Sequence, residues 1–252
     1  MTLYLFDAHA HVAAAGDPPT PAAPPLPGAE TVGRLICGVD PADWRDVNAA
    51  AWSWAGTIPA FGLHPRSVAS VQEGWFEELE RLLTGNPAAW LGEAGLDASK
   101  RGLAGMDEQD EAFRRQLRLA KRLRRRVNLH CVKAWDRLLA ALDEEYLPDG
   151  RDGFIVHSFS GPDEHLHELT ERGAYFTVGP LFSRRESRRD RGRAARIPGD
   201  RLLLESDFIL AAGVDVSGEL VYALRWLAAA RGEDAEALGV MISKNAGRLF
   251  HG

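Results

Sequence analysis

Short apolar runs alternate with longer amphipathic segments along most of this chain. Each run is five to eight residues long, which is the length of a buried strand. Runs without polar alternation are typical of strands covered on both faces, as in a parallel sheet. The eight runs predict strands at 2–6, 31–38, 57–61, 88–92, 126–131, 153–157, 174–178 and 201–205.

The segments between the runs predict helices, because their apolar residues recur every three or four positions. Trp75, Leu79 and Leu82, for example, fall on one face of a helix. Asp40 followed by Pro41 is typical of a helix start, with a capping side chain before a proline. Helices are predicted at 41–55, 72–83, 107–125, 134–145, 162–172, 184–196, 217–230 and 234–250.

Eight strands that alternate with helices predict a closed (β/α)8 TIM barrel. The chain shows no linker and no internal repeat, so we expect a single domain over residues 1–252. In barrels of this kind, the active site lies at the carboxyl ends of the strands. The polar residues that follow the apolar runs are therefore the first candidates for function.

Composition excludes several classes of protein. The chain has 252 residues, 45% of them hydrophobic, and a net charge of −6, so as a whole it is not a polyanion binder. No apolar run reaches the roughly 18 residues of a membrane span, and residues 1–6 lack the basic start of a signal peptide. Cys37 and Cys131 form no recognisable spacing. We therefore expect a cytoplasmic protein without a membrane segment.

A proline-rich segment follows the first predicted strand. Residues 18–27 include six prolines, which exclude a helix or a central strand. We interpret the segment as a stiff spacer, and a lid over a binding site is the alternative.

Two histidines, His9 and His11, directly follow the first apolar run. Side chains two apart in an extended chain share a face, so both imidazoles point the same way, with Asp7 one step behind. Two converging imidazoles form half of a metal site, although two solvated histidines have the same spacing. The other strand ends favour the metal site, because they carry further imidazoles and carboxylates: His64, Glu93, His130, His157 and Asp207.

These residues belong to short motifs that occur in a fixed order. The motifs are Asp7-Ala-His9-Ala-His11, Gly62-Leu-His64-Pro65, Gly92-Glu93-Ala-Gly95-Leu96-Asp97, His130-Cys131, His157-Ser-Phe159-Ser160-Gly161, Glu205-Ser-Asp207 and Asn245-Ala-Gly-Arg-Leu-Phe250. With them the chain resembles the TatD family of metal-dependent hydrolases, within the wider amidohydrolase-like barrels. The resemblance spans nearly the whole chain.

The resemblance implies two divalent metal ions. The first would be held by His9, His11, Glu93 and Asp207, and the second by Glu93, His130 and His157. Glu93 would bridge the two ions, since its two oxygens can bind two cations. The alternative for Glu93 is a salt bridge at a strand end. The residue types do not select among zinc, manganese, iron and magnesium.

The implied chemistry is hydrolysis by an activated water. Asp207 would be the general base, and Glu93 would hold both ions around the reacting group. His64 would contact the substrate phosphate or an oxygen at the scissile bond, or else pack a loop. Lys133 would bind phosphate as a point charge, or else be a solvated lysine.

A basic segment follows the seventh predicted strand. Residues 184–196 include seven arginines and two acidic residues, and the segment starts on the active-site face. Such a stripe, with Arg184 and Arg185 nearest the site, could follow a phosphate backbone. A solvated helix is the alternative.

We therefore expect a phosphodiesterase that acts on DNA, as a deoxyribonuclease of 3′-to-5′ type on single strands or 3′ ends. One alternative is a small-molecule hydrolase that cleaves an amide, ester or lactone with the same metals. Another is an inactive metal-bound scaffold. Val12-Ala13 and Phe208 stand where the family often has Leu-Asp and proline, which leaves the ligands intact but puts the substrate in question.

Overall fold

The structure, a computed structural model, describes residues 2–13, 20, 22, 27–99, 103–147, 153–184 and 187–251. Within these residues the strands pair in parallel throughout. The first strand pairs with the second on one side and with the eighth on the other, which closes eight strands into a barrel. The predicted (β/α)8 TIM barrel is therefore confirmed.

The elements of the described ranges follow the predicted alternation. The strands are β1 Leu3–Val12, β2 Ala29–Cys37, β3 Thr57–Phe61, β4 Trp90–Asp97, β5 Val127–Val132, β6 Phe154–Val156, β7 Ala174–Val178, β8 Leu202–Leu204 and β9 Ile209–Leu210. The helices are α1 Trp44–Ser53, α2 Trp75–Gly85, α3 Met106–Leu123, α4 Trp135–Ala141, α5 Asp163–Glu171, α6 Pro180–Ser183, α7 Arg188–Arg196, α8 Ser217–Arg231 and α9 Ala235–His251. Single turns of 3-10 helix lie at Pro65–Ser67 and Gly199–Arg201, and a π-helical turn, Leu142–Tyr146, continues α4.

The core lies inside the barrel and between the barrel and its helices. Phe61, Phe154 and Phe176 are fully buried on the strands, and Trp44 and Phe113 are fully buried on the helices. Because these rings are removed from water on both faces of the sheet, apolar burial is the main source of stability of the barrel. Most polar residues at the strand ends are thus available for a site.

One glycine allows β4 and β5 to approach closely near the barrel mouth. A Cβ atom at Gly95 would lie only 1.9 Å from the carbonyl oxygen of His130, and Gly95 has a φ of +152°. Only glycine fits such an approach, since any side chain would push the two strands apart. The close approach holds Glu93 on β4 beside His130 on β5.

Two strands extend further than predicted. β1 continues to Val12, so His9 and His11 lie within the strand rather than after it. The prediction that the fourth strand ends at residue 92 is wrong, because β4 continues to Asp97. Its later residues still pair with β5, Gly95 opposite His130, and their side chains are buried. β9, which pairs with the end of β1, was not predicted.

Several helix starts also differ from the prediction, and α2, for example, begins at Trp75 rather than at residue 72. α1 begins at Trp44 rather than Pro41, because the side chain of Asp43 accepts a hydrogen bond from the amide of Val39 and holds a turn before the helix. The basic segment is not one helix. The short α6 ends at Ser183, and α7 starts after Ser187, whose hydroxyl accepts from the amide of Asp190.

The proline-rich segment lies mostly outside the described residues, so its interpretation as a spacer stays a prediction. Thr20, which is described, exchanges hydrogen bonds with Ile209 of β9. Cys37 and Cys131 are both buried free cysteines. Of the helices described, none is long and apolar enough to cross a membrane.

Candidate metal centre

The side chains predicted as metal ligands meet at one mouth of the barrel. His9 and His11 come from β1, Glu93 from β4, His130 from β5, and His157 directly follows β6. The rings of His9 and His157 are stacked with their centroids 4.1 Å apart. The two histidines therefore lie side by side at the same mouth of the barrel.

Four ligand atoms form the first group, which we name the β1 cluster: Nε2 of His9, Nε2 of His11, Oε2 of Glu93 and Oδ1 of Asp207. The two nitrogens are 3.2 Å apart. Glu93 Oε2 lies 3.7 Å from each of them, and Asp207 Oδ1 lies 3.6 and 3.5 Å from them. Ligands at about 2.1 Å from an ion in a tetrahedron are roughly 3.4 Å apart. The β1 cluster therefore has the dimensions of a tetrahedral metal site.

Three ligand atoms form the second group, the β5–β6 cluster: Oε1 of Glu93, Nδ1 of His130 and Nε2 of His157. The carboxylate oxygen lies 2.8 Å from His130 and 2.9 Å from His157, and the two nitrogens are 3.2 Å apart. Neighbouring ligands at right angles, about 2.1 Å from an ion, are roughly 3.0 Å apart. These atoms fit one side of a divalent metal site.

Hydrogen bonds fix the protonation of the β1 histidines. Nδ1 of His9 donates to the side-chain oxygen of Asn128 at 3.0 Å, and Nδ1 of His11 donates to the carbonyl oxygen of Cys37 at 2.9 Å. With the proton on Nδ1, each Nε2 keeps its lone pair and faces the cluster. Burial lowers the pKa of His9 to about 4, so this ring is neutral at neutral pH. A neutral imidazole is the form that binds a metal.

The histidines of the β5–β6 cluster face carboxylates on their far side. Nε2 of His130 lies 3.5 Å from Asp97 Oδ2, and Nδ1 of His157 lies 3.6 Å from Glu205 Oε2. A carboxylate behind a ligating imidazole orients the ring and makes it a stronger ligand. The arrangement is therefore the one expected around a bound cation.

The electrostatics of the centre favour ionised carboxylates. Burial alone would raise the pKa of Glu93, but the imidazoles of His64, His157 and His130 outweigh it and hold this pKa well below its usual value. Burial likewise acts to raise the pKa of Asp207, yet His11 and the other imidazoles lower it to about 2. Both groups are thus anionic at neutral pH, as ligands for a cation must be.

Asp7 acts differently from the other residues of its motif. Its carboxylate is fully buried and accepts hydrogen bonds from the amide of Ser206 at 2.8 Å and from the Ser206 hydroxyl at 2.6 Å. Asp207 in turn donates its amide to the carbonyl oxygen of His9 at 2.9 Å and has a φ of 55°. Asp7 therefore fastens the end of β8 to β1 and positions Asp207.

His64 lies at the edge of the centre. Its Nδ1 accepts a hydrogen bond from the amide of Arg66 at 2.9 Å, which leaves the proton on Nε2. That Nε2 lies 3.5 Å from Glu93 Oε1. In this tautomer His64 is a donor toward the carboxylate, but it also lies close enough to Glu93 and His130 for the three to hold an ion, so its role stays a prediction.

The three basic residues predicted to bind substrate differ in their exposure and in their contacts. Lys133 is exposed next to the mouth and has a φ of 56°. Arg184 is already engaged, because it donates to both oxygens of Glu219 at 2.7 and 2.8 Å and lies over the ring of Phe208. Arg185 lies outside the described residues. The roles of all three stay predictions.

Most of the other arginines of this segment also have partners in the described structure. Arg193 is buried, Arg196 pairs with Asp163, and Arg191 lies over the ring of Trp226. Arg188 and Arg189 are exposed, and within the part of the chain that the structure describes neither side chain makes an ion pair or a hydrogen bond. The segment is therefore not a continuous open stripe.

Sequence reasoning assigned no role to Asn128, Asp97 or Glu205. Asn128 stands two positions before His130 on β5, so the alternation of the strand could have placed it on the same face. Asp97 and Glu205 belong to the quoted motifs, but no spacing shows that a carboxylate faces the back of an imidazole from another strand. Only the closed barrel brings them together.

Known proteins place these observations in a family. The family model for TatD related DNase matches residues 6–251. The chain belongs to this family. A TatD protein of Cronobacter sakazakii described as a 3′-5′ ssDNA/RNA exonuclease is 32% identical over 227 residues, which cover 86% of this chain and 85% of that protein. A Pantoea protein of the same description is 30% identical over 234 residues, with 88% and 89% covered.

Solved structures agree with this family. The TatD homologue YJJV of Escherichia coli superposes with a TM-score of 0.77 at 25% identity, covering 88% of this chain and 87% of its own. A TatD family hydrolase of Entamoeba histolytica has a TM-score of 0.77 at 15% identity, covering 99% and 98%, and shows the shared fold. This TatD protein is therefore a metal-dependent hydrolase of a deoxyribonuclease family.

Proposed function

We propose that the centre holds two divalent metal ions, one in the β1 cluster and one in the β5–β6 cluster, with Glu93 as the bridge. The observation that carries this proposal is the split of the Glu93 carboxylate. Its Oε2 faces His9 and His11, whereas its Oε1 faces His130 and His157. One carboxylate that turns its two oxygens toward two histidine pairs suits a two-metal site.

We further propose that the reaction is stepwise hydrolysis of a single-stranded nucleic acid from its 3′ end. The proposal rests on the curated TatD relatives, which carry that description over most of the chain. Bound divalent ions supply Lewis acidity, which makes water more acidic and stabilises charge on a phosphoryl group. Proton transfer and contact with the substrate are assigned to side chains of this protein.

Asp207 is the proposed general base. Burial acts to raise its pKa, but His11 and the neighbouring imidazoles outweigh burial and lower the pKa to about 2, so the carboxylate is ionised at neutral pH and has a free electron pair for a proton. Its side chain is 28% exposed, which is more than the 4% of Glu93, so water reaches it. His64 and Lys133 are proposed to contact the phosphate, through a ring N–H and an ammonium group respectively.

A small-molecule hydrolase is the second candidate. A cavity of about 370 Å³ lies beside His130, His157 and Asp207, and small-ligand sites begin at roughly 300 Å³. An inactive scaffold is less well supported, because Glu93 and Asp207 are ionised and the ligand atoms of His9, His11 and Glu93 lie close enough together to hold an ion.

Metal analysis combined with a degradation assay tests the proposal. The purified protein should contain or take up two divalent ions per chain, and a 5′-labelled single-stranded DNA should shorten one nucleotide at a time. Reconstitution with zinc, manganese, iron or magnesium then identifies the ions that support the reaction. One ion per chain would overturn the two-metal centre. Hydrolysis of esters or lactones without any shortening of DNA would favour the small-molecule reading.

A further inference from the structure

The cavity beside the metal centre has walls from five parts of the barrel mouth. These parts are the end of β5, the loop after β6, α6, α7 and the residues after β8. Its lining residues are His130, Cys131, Val132, His157, Ser158, Ser160, Leu181, Phe182, Asp190 and Asp207. His130, His157 and Asp207 also belong to the two clusters. The part of a nucleotide that enters this cavity would therefore lie next to a phosphate held at the clusters.

A buried arginine holds the polar wall of the cavity in place. Arg193 is only 6% exposed. Its Nε donates to the carbonyl oxygen of Gly161 at 3.0 Å, and its Nη1 donates to Asp190 Oδ1 at 2.9 Å. Arg193 therefore fixes the loop after β6 relative to α7. Among the described residues no hydrogen-bond donor contacts the second oxygen of Asp190, which stays free to accept from a ligand.

The chemistry of these walls selects the part of a nucleotide that can enter. Val132, Leu181 and Phe182 offer apolar surface, as the faces of a flat ring require. Asp190 is acidic, so it disfavours a phosphate and accepts N–H groups. The phosphate is thus left to the clusters, and the neutral base is the part of the nucleotide that fits beside them.

We propose that this cavity is the subsite for the base of the 3′-terminal nucleotide, and that Asp190 favours a base with an exocyclic amino group. Cytosine offers an amino donor at the position where uracil has a carbonyl oxygen. A carboxylate accepts from the first and repels the second. The inference rests on the proposed nuclease function, and it adds a preference among terminal nucleotides to that function.

The matched pair of dC and dU tests the subsite, because the two bases differ only at C4 and N3, where cytosine has an amino group beside an acceptor nitrogen and uracil has a carbonyl oxygen beside an N–H group. Two otherwise identical single-stranded oligonucleotides ending in dC or dU are compared by kcat/KM for release of the first nucleotide. We expect the metal-loaded protein to favour dC by about 5- to 20-fold, the lower part of the range for one base contact, since Asp190 is partly solvated. Equilibrium binding of dCMP and dUMP should show the same order.

The ratio should fall to about 1 in Asp190→Asn and Asp190→Ala. An amide both donates and accepts, and a methyl group does neither, so each variant loses the discrimination for a different reason. The ratio of the dC and dU values of kcat/KM is measured on one preparation, so it does not depend on the fraction of protein that is folded or loaded with metal. Any loss of stability caused by removing the hydrogen bond from Arg193 lowers both values equally. Asp200→Asn is the matched control, since Asp200 is exposed at the opposite end of the barrel and should keep the wild-type ratio.

The outcomes separate this inference from the proposed function. Equal rates for dC and dU ends, with equal binding of dCMP and dUMP, would overturn the subsite and leave the nuclease intact. A dC preference that survives in both Asp190 variants would overturn the role of Asp190. Absence of release from either oligonucleotide, with dCMP still bound more tightly than dUMP, would support the subsite while the nuclease function fails.

Discussion

The imidazoles of the β1 cluster donate hydrogen bonds to neutral partners, whereas those of the β5–β6 cluster face carboxylates. His9 and His11 donate to an amide oxygen of Asn128 and a backbone carbonyl of Cys37. His130 and His157 instead lie 3.5 and 3.6 Å from carboxylate oxygens of Asp97 and Glu205. Apart from the shared Glu93, negative charge reaches the first cluster directly, through Asp207, and the second from behind its ligands, through Asp97 and Glu205.

This difference indicates a division of labour within one centre. A carboxylate inside a cluster can exchange protons with water, as Asp207 would, because it is partly exposed. A carboxylate behind an imidazole cannot reach the substrate and can only orient and strengthen the ligand. We therefore expect changes in the β1 cluster to alter the chemical step, and changes behind the β5–β6 cluster to alter metal binding.

Glu93→Ala should have the largest effect, because Glu93 is the one residue that both clusters share. The variant removes an oxygen from each, so we expect loss of metal at both sites and loss of hydrolysis. Bound metal and DNA shortening are measured on the same preparation. Thermal unfolding should show a folded barrel, since the apolar core does not depend on the site. Full metal occupancy with full activity would show that the two-metal centre is wrong.

Asp207→Asn should separate chemistry from binding in the β1 cluster. Asparagine keeps one oxygen as a weak ligand but cannot accept a proton, so metal should stay bound while kcat falls by about 10² or more. Metal content and single-turnover rates together check this. A variant that loses metal as completely as Glu93→Ala would mean that Asp207 acts chiefly as a ligand.

Glu205→Gln should weaken the β5–β6 cluster selectively. It removes the charge behind His157 while keeping the size of the side chain, and such outer carboxylates contribute about 10- to 100-fold to metal affinity. Titration of the apo protein with metal should show one weakened site and one unchanged site. Glu164→Gln, on the exposed face of α5, is the matched control. Equal weakening of both sites would contradict the division between the clusters.

The sequence predicted the barrel and the ligand residues because both follow from local signals. Apolar runs mark doubly covered strands, and the barrel gathers their carboxyl ends at one mouth. The boundary of β4 was missed because Glu93, although polar, is buried inside the strand. The break in the basic segment had a signal in Ser187, a capping residue three positions before Asp190, but its high arginine content favoured one continuous helix.

The support of the ligands could not be predicted in the same way. Asn128 lies 119 positions from His9 along the chain, and Ser206 lies 199 positions from Asp7. Contacts over such separations depend on the register of neighbouring strands, which periodicity does not determine. For the same reason the segment 184–196 could be read as a basic stripe, whereas the folded protein ties Arg184 to Glu219 and Arg193 to Asp190.

The smallest effect is expected outside both clusters, at Arg188 and Arg189. These exposed side chains, on the first turn of α7, are the arginines of that segment best placed to contact the phosphates of a strand. The double change to alanine should weaken DNA binding and reduce the slope of log K against log salt by about 0.7 for each phosphate that is no longer neutralised. A salt titration with single-stranded DNA measures this slope.

Arg184→Ala is the contrasting variant, because Arg184 is held by the carboxylate of Glu219, whose side chain is only 2% exposed. Its removal leaves a buried acidic group without this cation, so it should lower thermal stability more than it changes the salt slope. The reverse pattern, a flattened slope for Arg184→Ala and none for the double variant, would mean that DNA displaces Glu219 and takes the guanidinium. The DNA strand would then approach the metal centre past Arg184 and Phe208 rather than along α7.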